Sequence, residues 1–295
     1  MKFGAIDIGT NAARLLIGEV VKNDDNKSFI KKISYTRVPL RLGLEVFKNG
    51  EISHKKIKEF TKTIQAFKLI AEVFDVKDLR ACATSAMREA DNGLKIKAHI
   101  LEETGVDIEV IDGAEEAKLI FSTFALLDLE KDKPFVVVDV GGGSTEINIF
   151  KNGKIVSAKS FKIGTIRILK DKVKDKTWKE LDEWLTKKQE EIVGLRVFAT
   201  GGNINKTHKL LGFKFLEPLP FRDLEALYDE LKELSLDKRI EQFGLKEDRA
   251  DVIVPALHIY LKIMRKLKAK EVIVPKVGLS DGVILELAKS EKNKI

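Results

Sequence analysis

The chain carries one short unit twice. An apolar run, Phe3–Ile8, ends in Asp7-Ile-Gly9-Thr10-Asn11 and re-enters an apolar run over 12–21. A second run, Phe135–Val140, ends in Asp139-Val-Gly141-Gly142-Gly143-Ser144-Thr145 and continues over 146–150. The two aspartates lie 132 positions apart, about the length of one domain. A strand that turns on small residues and returns as a strand, repeated at domain spacing, predicts two similar α/β domains, each offering its turn to a shared cleft. The 295-residue length agrees, at roughly 150 residues per domain.

The intervening pattern alternates strands and helices. Ile57, Phe60, Ile64, Phe67, Ala71 and Phe74 recur at helical spacing, so 54–74 reads as an amphipathic helix. A strand over 79–84, a helix over 89–104, a strand over 108–111 and a helix over 113–127 follow. The stretch 129–133 is the expected boundary, giving domains 1–128 and 129–295, with the last helix free to pack back onto the first domain. In the second half, Asn152-Gly153 signals a hairpin into a strand over 154–161. Thr177-x-x-Glu180 reads as a capping box, and a strand over 197–200 leads into Gly201-Gly202. Helices over 224–234, 250–267 and 281–290 complete the reading, with a strand over 271–274.

Several classes are disfavoured. No apolar stretch reaches the ~18 residues of a membrane span, and Asp7 stands where a signal peptide needs an apolar core. The lone Cys82 forms no internal disulfide and reads as a core residue; the four histidines are scattered, with no zinc pattern. The net charge of +7, from 53 basic and 46 acidic residues, is compatible with an anionic ligand without requiring one. Basic runs are interleaved with aspartate, which reads as a solvated face rather than a nucleic-acid patch. The expectation is a cytoplasmic protein with no DNA, RNA or membrane partner; a homodimer stays open.

A turn of glycines and small hydroxyls lets backbone amides crowd one anion. Asp139 to Glu146 has that composition. A dinucleotide-binding fingerprint would need glycine in place of Glu146 and a following helix, and a P-loop would need Gly-Lys-Ser/Thr; neither is present. Phosphate is thus the expected ligand of Gly141, Gly142, Gly143, Ser144 and Thr145, against the alternative of a tight structural turn. Asp7, Asp139 and Glu146 offer hard oxygens beside it, as magnesium requires. The strand-to-helix junctions at 84–89 and 199–203 are further places for an anion to meet backbone N–H groups; Arg88 reads as a phosphate contact or a surface ion-pair partner, and Gly201 and Gly202 as a second glycine junction. Glu115 and Glu116 open a helix, where the dipole favours acids whatever their role, so spacing alone does not make either catalytic.

Taken in order, Asp7-x-Gly-Thr-Asn11, Arg41-Leu-Gly43, Ala83-Thr-Ser-Ala-x-Arg88-Glu-Ala90, Gly113-x-Glu-Glu-Ala117 and Asp139-x-Gly-Gly-Gly-Ser-Thr-Glu146 resemble the motif series of the exopolyphosphatase/guanosine pentaphosphate phosphohydrolase (Ppx/GppA) family of the actin-like ATPase superfamily. Arg249-Ala-Asp-Val-Ile253 and Gly278-Leu-Ser-Asp-Gly282 extend the likeness towards the carboxyl end. The resemblance implies an α/β fold of two ribonuclease-H-like (actin-like ATPase) domains flanking an interdomain cleft. It implies that Glu116 is catalytic, that Asp139 and Glu146 are metal-side carboxylates, and that Gly9, Thr10, Asn11, Arg88 and the 141–145 turn bind phosphate. It further implies a hydrolase using Mg2+, or another divalent cation such as Mn2+, to release terminal phosphate from inorganic polyphosphate or guanosine pentaphosphate. The chain departs from the pattern at Leu44, Asn203 and Leu279-Ser-Asp-Gly282, and longer members carry about two further helical domains. Short polyphosphate chains are therefore expected over long ones. An ATP-dependent small-molecule kinase of the same superfamily and a non-catalytic sensor of guanosine tetra- or pentaphosphate remain as alternatives.

Overall fold

The structure is a computed structural model that describes residues 1–127, 133–188, 191 and 194–292. The chain separates into two compact units, Met1–Leu129 with Val277–Ile295, and Glu130–Lys276. The expected boundary at 129–133 lies largely outside the described residues. The second unit ends at Lys276 rather than at Ile295, because the helix Leu279–Lys292 packs on the sheet of the first unit.

The first unit is built on β1 (Phe3–Ile8), β2 (Ala13–Lys22), β3 (Ser28–Val38), β4 (Asp78–Ala83) and β5 (Ile108–Val110), in the order β3-β2-β1-β4-β5. β1 pairs antiparallel with β2 and parallel with β4. The run Phe-Gly-Ala-Ile-Asp-Ile of β1 is buried apart from a half-exposed Asp7, as a central strand covered on both faces should be. Five helices follow the strands: α1 (Gly43–Asn49), α2 (His54–Val73), α3 (Ser85–Glu89), α4 (Gly93–Thr104) and α5 (Gly113–Phe124). Ser53 caps α2 by accepting from Lys56 N, and Phe60, Ile64, Phe67 and Ala71 form its buried stripe. The single helix expected over 89–104 is instead two, α3 and α4, separated at Ala90–Asn92, where Ala90 is extended.

The C-terminal helix Leu279–Lys292 lies against β1, β2 and α5. Gly282 permits that approach: a Cβ there would stand 2.5 Å from the Leu119 carbonyl carbon on α5. Asp281 anchors the helix start, accepting from Gly278 N at 3.0 Å and pairing with Lys32 Nζ of β3 at 2.7 Å. Further along, Glu286 accepts from Arg80, whose guanidinium also holds Glu109 at 2.7 Å and Glu115 at 3.0 Å. One cation thus ties β4, β5, α5 and the C-terminal helix together.

The second unit repeats the plan with β6 (Phe135–Val140), β7 (Thr145–Lys151), β8 (Lys154–Phe161) and β9 (Arg196–Thr200) in the order β8-β7-β6-β9. Asn152 (φ 50°) and Gly153 (φ 68°) form the left-handed hairpin turn between β7 and β8. Short strands β10 (Leu219–Pro220) and β11 (Glu271–Val272) pair with each other, and Ile273 bridges to Phe198 in the parallel sense, a residual fifth position beside β9. The helices are α6 (Thr165–Leu169), α7 (Asp175–Lys187), α8 (Gly202–Leu210), α9 (Phe221–Glu233), α10 (Leu236–Phe243), α11 (Glu247–Ala250) and α12 (Ile253–Leu267). α12 is the core of this unit, burying Ile253, Ala256, Leu257, Ile259, Tyr260, Leu261, Ile263, Met264 and Leu267. The capping box read at Thr177–Glu180 does not form: α7 begins at Asp175 with Lys174 at its cap, so Thr177 already lies inside the helix.

Candidate active site

In the first unit, functional side chains gather where the parallel strands β1, β4 and β5 end. Gly9 N donates to Ala12 O at 3.1 Å and closes the turn after β1. Thr10 and Asn11 at its crest are wired to neighbouring loops: Gly43 N donates to Thr10 O at 3.0 Å, Arg41 N to Asn11 O at 2.9 Å, and the Thr10 and Ser85 hydroxyls lie 2.8 Å apart. Arg88, exposed in the last turn of α3, donates from Nη1 to Ile111 O at 2.7 Å, on the segment that leads into α5. Asp112 caps α5, its Oδ1 accepting from Ala114 N and Glu115 N at 2.9 and 2.8 Å. Glu116 follows, half-buried in that first helical turn. Glu115 and Glu116, which spacing could not separate, thus differ in that Glu115 is an ion-pair partner of Arg80.

In the second unit the turn after β6 is closed in the same way, Gly141 N donating to Ser144 O at 2.9 Å. Its carbonyls face inward. Thr165 N donates to Gly141 O at 3.1 Å, Ile166 N to Gly142 O at 2.8 Å, and Arg167 Nε to Gly143 O at 2.5 Å. Gly164 makes this possible, since a Cβ there would lie 2.5 Å from the carbonyl carbons of Gly142 and Gly143. Among the described residues the amides of Gly142, Gly143 and Ser144 donate to no backbone carbonyl, which leaves the turn as a cluster of N–H groups suited to an anion. Thr145 departs from expectation. It is buried, and its hydroxyl donates to Ile163 O at 2.6 Å, so it braces the turn rather than offering its hydroxyl to phosphate.

Strand register explains the carboxylates. Asp139 stands directly opposite Glu146, Glu146 opposite Ser160, and Asp139 beside Thr200, so one row crosses four strands on one face. Ser160 Oγ donates to Glu146 Oε1 at 2.8 Å. Gly201, at φ +117°, lets the chain pass Asp139: a Cβ would sit 2.9 Å from Val140 O and 3.1 Å from Asp139 Oδ1. Behind the pair, Tyr260 donates its phenol proton to Thr200 O; burial first, and then the negative charges of Asp139 and Glu146, hold its pKa well above the usual phenol value. Gly202 O accepts from Arg249, which also reaches Asn203 Oδ1 at 3.1 Å. Gly201 and Gly202 are therefore packing and anchoring positions in this structure.

The corresponding row in the first unit is Cys82–Asp7–Arg14–Arg37. Asp7 lies seven residues before Arg14, as Asp139 lies seven before Glu146, and the arginine occupies the glutamate's place. Arg14 Nη1 donates to Asp7 Oδ2 at 2.7 Å, so the Asp7 carboxylate has an arginine partner within its own unit. Burial pushes the Cys82 thiol up to about 12, which keeps it protonated and supports its reading as a core residue.

A family model described as the Ppx/GppA phosphatase family matches residues 20–291. The chain belongs to that family. It is thus an enzyme of the phosphatase class. Among relatives of this Ppx/GppA member, the bifunctional 3-dehydroquinate synthase/phosphatase of Fusobacterium nucleatum is 33% identical over 167 residues, which are 56% of this chain and 25% of that protein. The chain therefore spans about a quarter of that relative's length. Exopolyphosphatase 1 of Mycobacterium tuberculosis is 25% identical over 312 aligned positions, covering 99% of this chain and 89% of that one. The crystal structure of the Aquifex aeolicus Ppx/GppA family member superposes with a TM-score of 0.78 at 25% identity, over 99% of this chain and 98% of that chain. The mixed α/β fold with two sheets is that of the family.

A divalent cation fits the acidic row of this Ppx/GppA chain. Magnesium is commonly held by one or two carboxylates together with substrate phosphate oxygens rather than by a protein cage. Asp139 and Glu146 supply two adjacent carboxylates beside a turn of N–H donors. Among the described residues no three His, Cys, Asp or Glu side chains cluster as a self-sufficient metal site. No described helix is long and apolar enough to cross a membrane.

Proposed function

We propose that the protein is a magnesium-dependent phosphoanhydride hydrolase that releases terminal phosphate from inorganic polyphosphate. The observation that carries this reading is the Asp139–Glu146 pair beside the 141–144 turn, whose carbonyls are tied back towards α6. Relatives named exopolyphosphatases, one aligned over nearly the whole chain, support the substrate class. Asp139 and Glu146 would hold the cation; Mg2+, or Mn2+ in its place, supplies charge neutralisation at the phosphate oxygens.

The remaining roles fall to groups of this chain. The amides of Gly142, Gly143 and Ser144 bind phosphate oxygens, and the Gly9-Thr10-Asn11 turn does the same from the first unit. Arg88 adds a charged donor. Glu116 accepts a proton from a water whose oxygen forms a bond to the terminal phosphorus, while the bridging P–O bond breaks and its electrons leave with the shortened chain. Positioning and charge stabilisation carry most of such a reaction. Guanosine pentaphosphate contains the same kind of bond and is a second substrate to be scored.

The test is phosphate release from tripolyphosphate, long-chain polyphosphate, guanosine pentaphosphate and ATP, with and without magnesium. Release from polyphosphate that needs the cation is expected. ATP turnover only with an added acceptor would indicate a kinase, and thermal stabilisation by guanosine pentaphosphate without any release would indicate a sensor. Glu116→Gln should retain polyphosphate binding and lose roughly 10²–10⁴ in kcat, the range of a lost general base. Wild-type kcat in that variant would remove Glu116 from the mechanism.

A further inference from the structure

Cations crowd the outward side of α12 and the segment that follows it. Over 262–270 the sequence reads Lys-Ile-Met-Arg-Lys-Leu-Lys-Ala-Lys, with no acidic residue. His258, Lys262 and Arg265 share one helical stripe, opposite the Tyr260 and Met264 side that enters the core. With Trp178 and Lys266 they line a cavity of ≈ 670 Å3. Arg265 continues into a second cavity of ≈ 400 Å3, bordered by Phe221, Lys268 and Lys270. Among the described residues Asp182 pairs with Lys262 at 3.0 Å and Glu225 with Arg265 at 2.7 Å. Lys266, Lys268 and Lys270 are exposed and have no carboxylate partner among the described residues.

The aromatic rings here bear on the kind of polyanion this face suits. Nucleic-acid strands bind by stacking bases on open aromatic faces as well as by charge. Lys262 Nζ sits 5.5 Å over the Trp178 ring and the Arg265 guanidinium 5.5 Å over Phe221, so each ring has a face occupied by a cation. A phosphate chain without bases asks only for the row of charges. Burial, and then Lys262 and Arg265, hold the His258 imidazole below its usual pKa, as expected beside concentrated positive charge.

We propose that this face of the second unit is a non-catalytic docking track for inorganic polyphosphate, holding the length of a long chain whose end is hydrolysed at the site described above. The proposal rests on the polyphosphate reading and replaces the expectation of short-chain preference with retention of long chains. Lys266→Glu combined with Lys270→Glu tests it, since both residues are exposed and neither belongs to the catalytic cluster. The variant, with an unchanged melting temperature, is expected to raise KM for chains of several hundred phosphates about ten-fold and to flatten its salt dependence. Its kcat, and its kcat/KM for tripolyphosphate, should stay at wild-type values. An unchanged long-chain KM, or an equal rise for tripolyphosphate, overturns the track.

Direct titration of long-chain polyphosphate into wild type and variant keeps this separate from the catalytic reading. If no phosphate is released from any substrate, the hydrolase reading fails, while weaker long-chain binding by the variant still supports the track and equal binding overturns it. Single-stranded DNA that binds wild type as tightly as polyphosphate, and is lost in the variant, would assign the face to nucleic acid and also overturn it.

Discussion

Opposite Asp7 stands Arg14, and opposite Asp139 stands Glu146. On the proposed reading that difference separates two otherwise matching hairpins, the cation falling to the one with two facing carboxylates. Glu146→Gln keeps the size and the Ser160 hydrogen bond but removes one charge, so the magnesium concentration for half-maximal phosphate release should rise at least ~10-fold; a magnesium titration of activity reads this, and an unmoved midpoint would detach Glu146 from the cation. Gly201→Ala acts nearby by a different route. At φ +117° and against Asp139, the methyl should cost about 1–3 kcal/mol, seen as a lower urea midpoint, with an altered magnesium requirement. The glycine turn and its acids were readable in the sequence because few structural demands produce such a composition. Tyr260 was not, since within α12 it looks like any apolar core position, and Arg14 was not, since only strand register sets it against Asp7. The dipole rule allowed both Glu115 and Glu116, and the Arg80 contact, 35 positions away in sequence, is what distinguishes them.

At the scale of elements, the C-terminal helix meets α5 through one missing side chain. Gly282→Ala must push the helix off the Leu119 backbone, and overpacking of this kind costs typically 1–3 kcal/mol; a urea melt of the variant checks it, and unchanged stability would mean the helix shifts freely. Asp281 on the same helix adds a pH dependence. Burial raises its pKa above the ordinary carboxylate value even though Lys32 and the Gly278 amide oppose that shift. The folded state therefore binds its proton more readily than the unfolded state, so this residue's contribution to stability declines as pH rises from about 4 through its elevated folded pKa. Melting temperatures of wild type and Asp281→Asn across pH 4–7 should differ by an amount that changes with pH; a constant offset would refute the linkage. Strongly periodic helices such as α2 were legible in advance, whereas the α3–α4 break and the start of α7 were not. Both depend on local backbone geometry that hydrophobic spacing does not encode.

For the whole molecule, the repeat at Asp7 and Asp139 announced two related sheets, and both have the strand plan it suggested. What the repeat could not announce is that Val277–Ile295 belongs with the first unit, because that follows from Gly282, Asp281 and Glu286 finding partners far away in sequence. Deleting residues 277–295 should accordingly raise amide hydrogen exchange in β1, β2 and α5 while β6, β7 and β9 keep their protection; equal losses in both sheets would contradict the division.

The same division has a consequence for biosynthesis. Residues leave the ribosome in order, and domains generally fold as units when their sequence is available. Every contact that defines the second unit is available once Lys276 has emerged, but the sheet begun at Phe3 must wait for the final helix before its cover is in place. In this chain the part made first is finished last, so a nascent chain stalled before position 277 should expose an unfinished amino-terminal half beside a mature carboxyl-terminal neighbour.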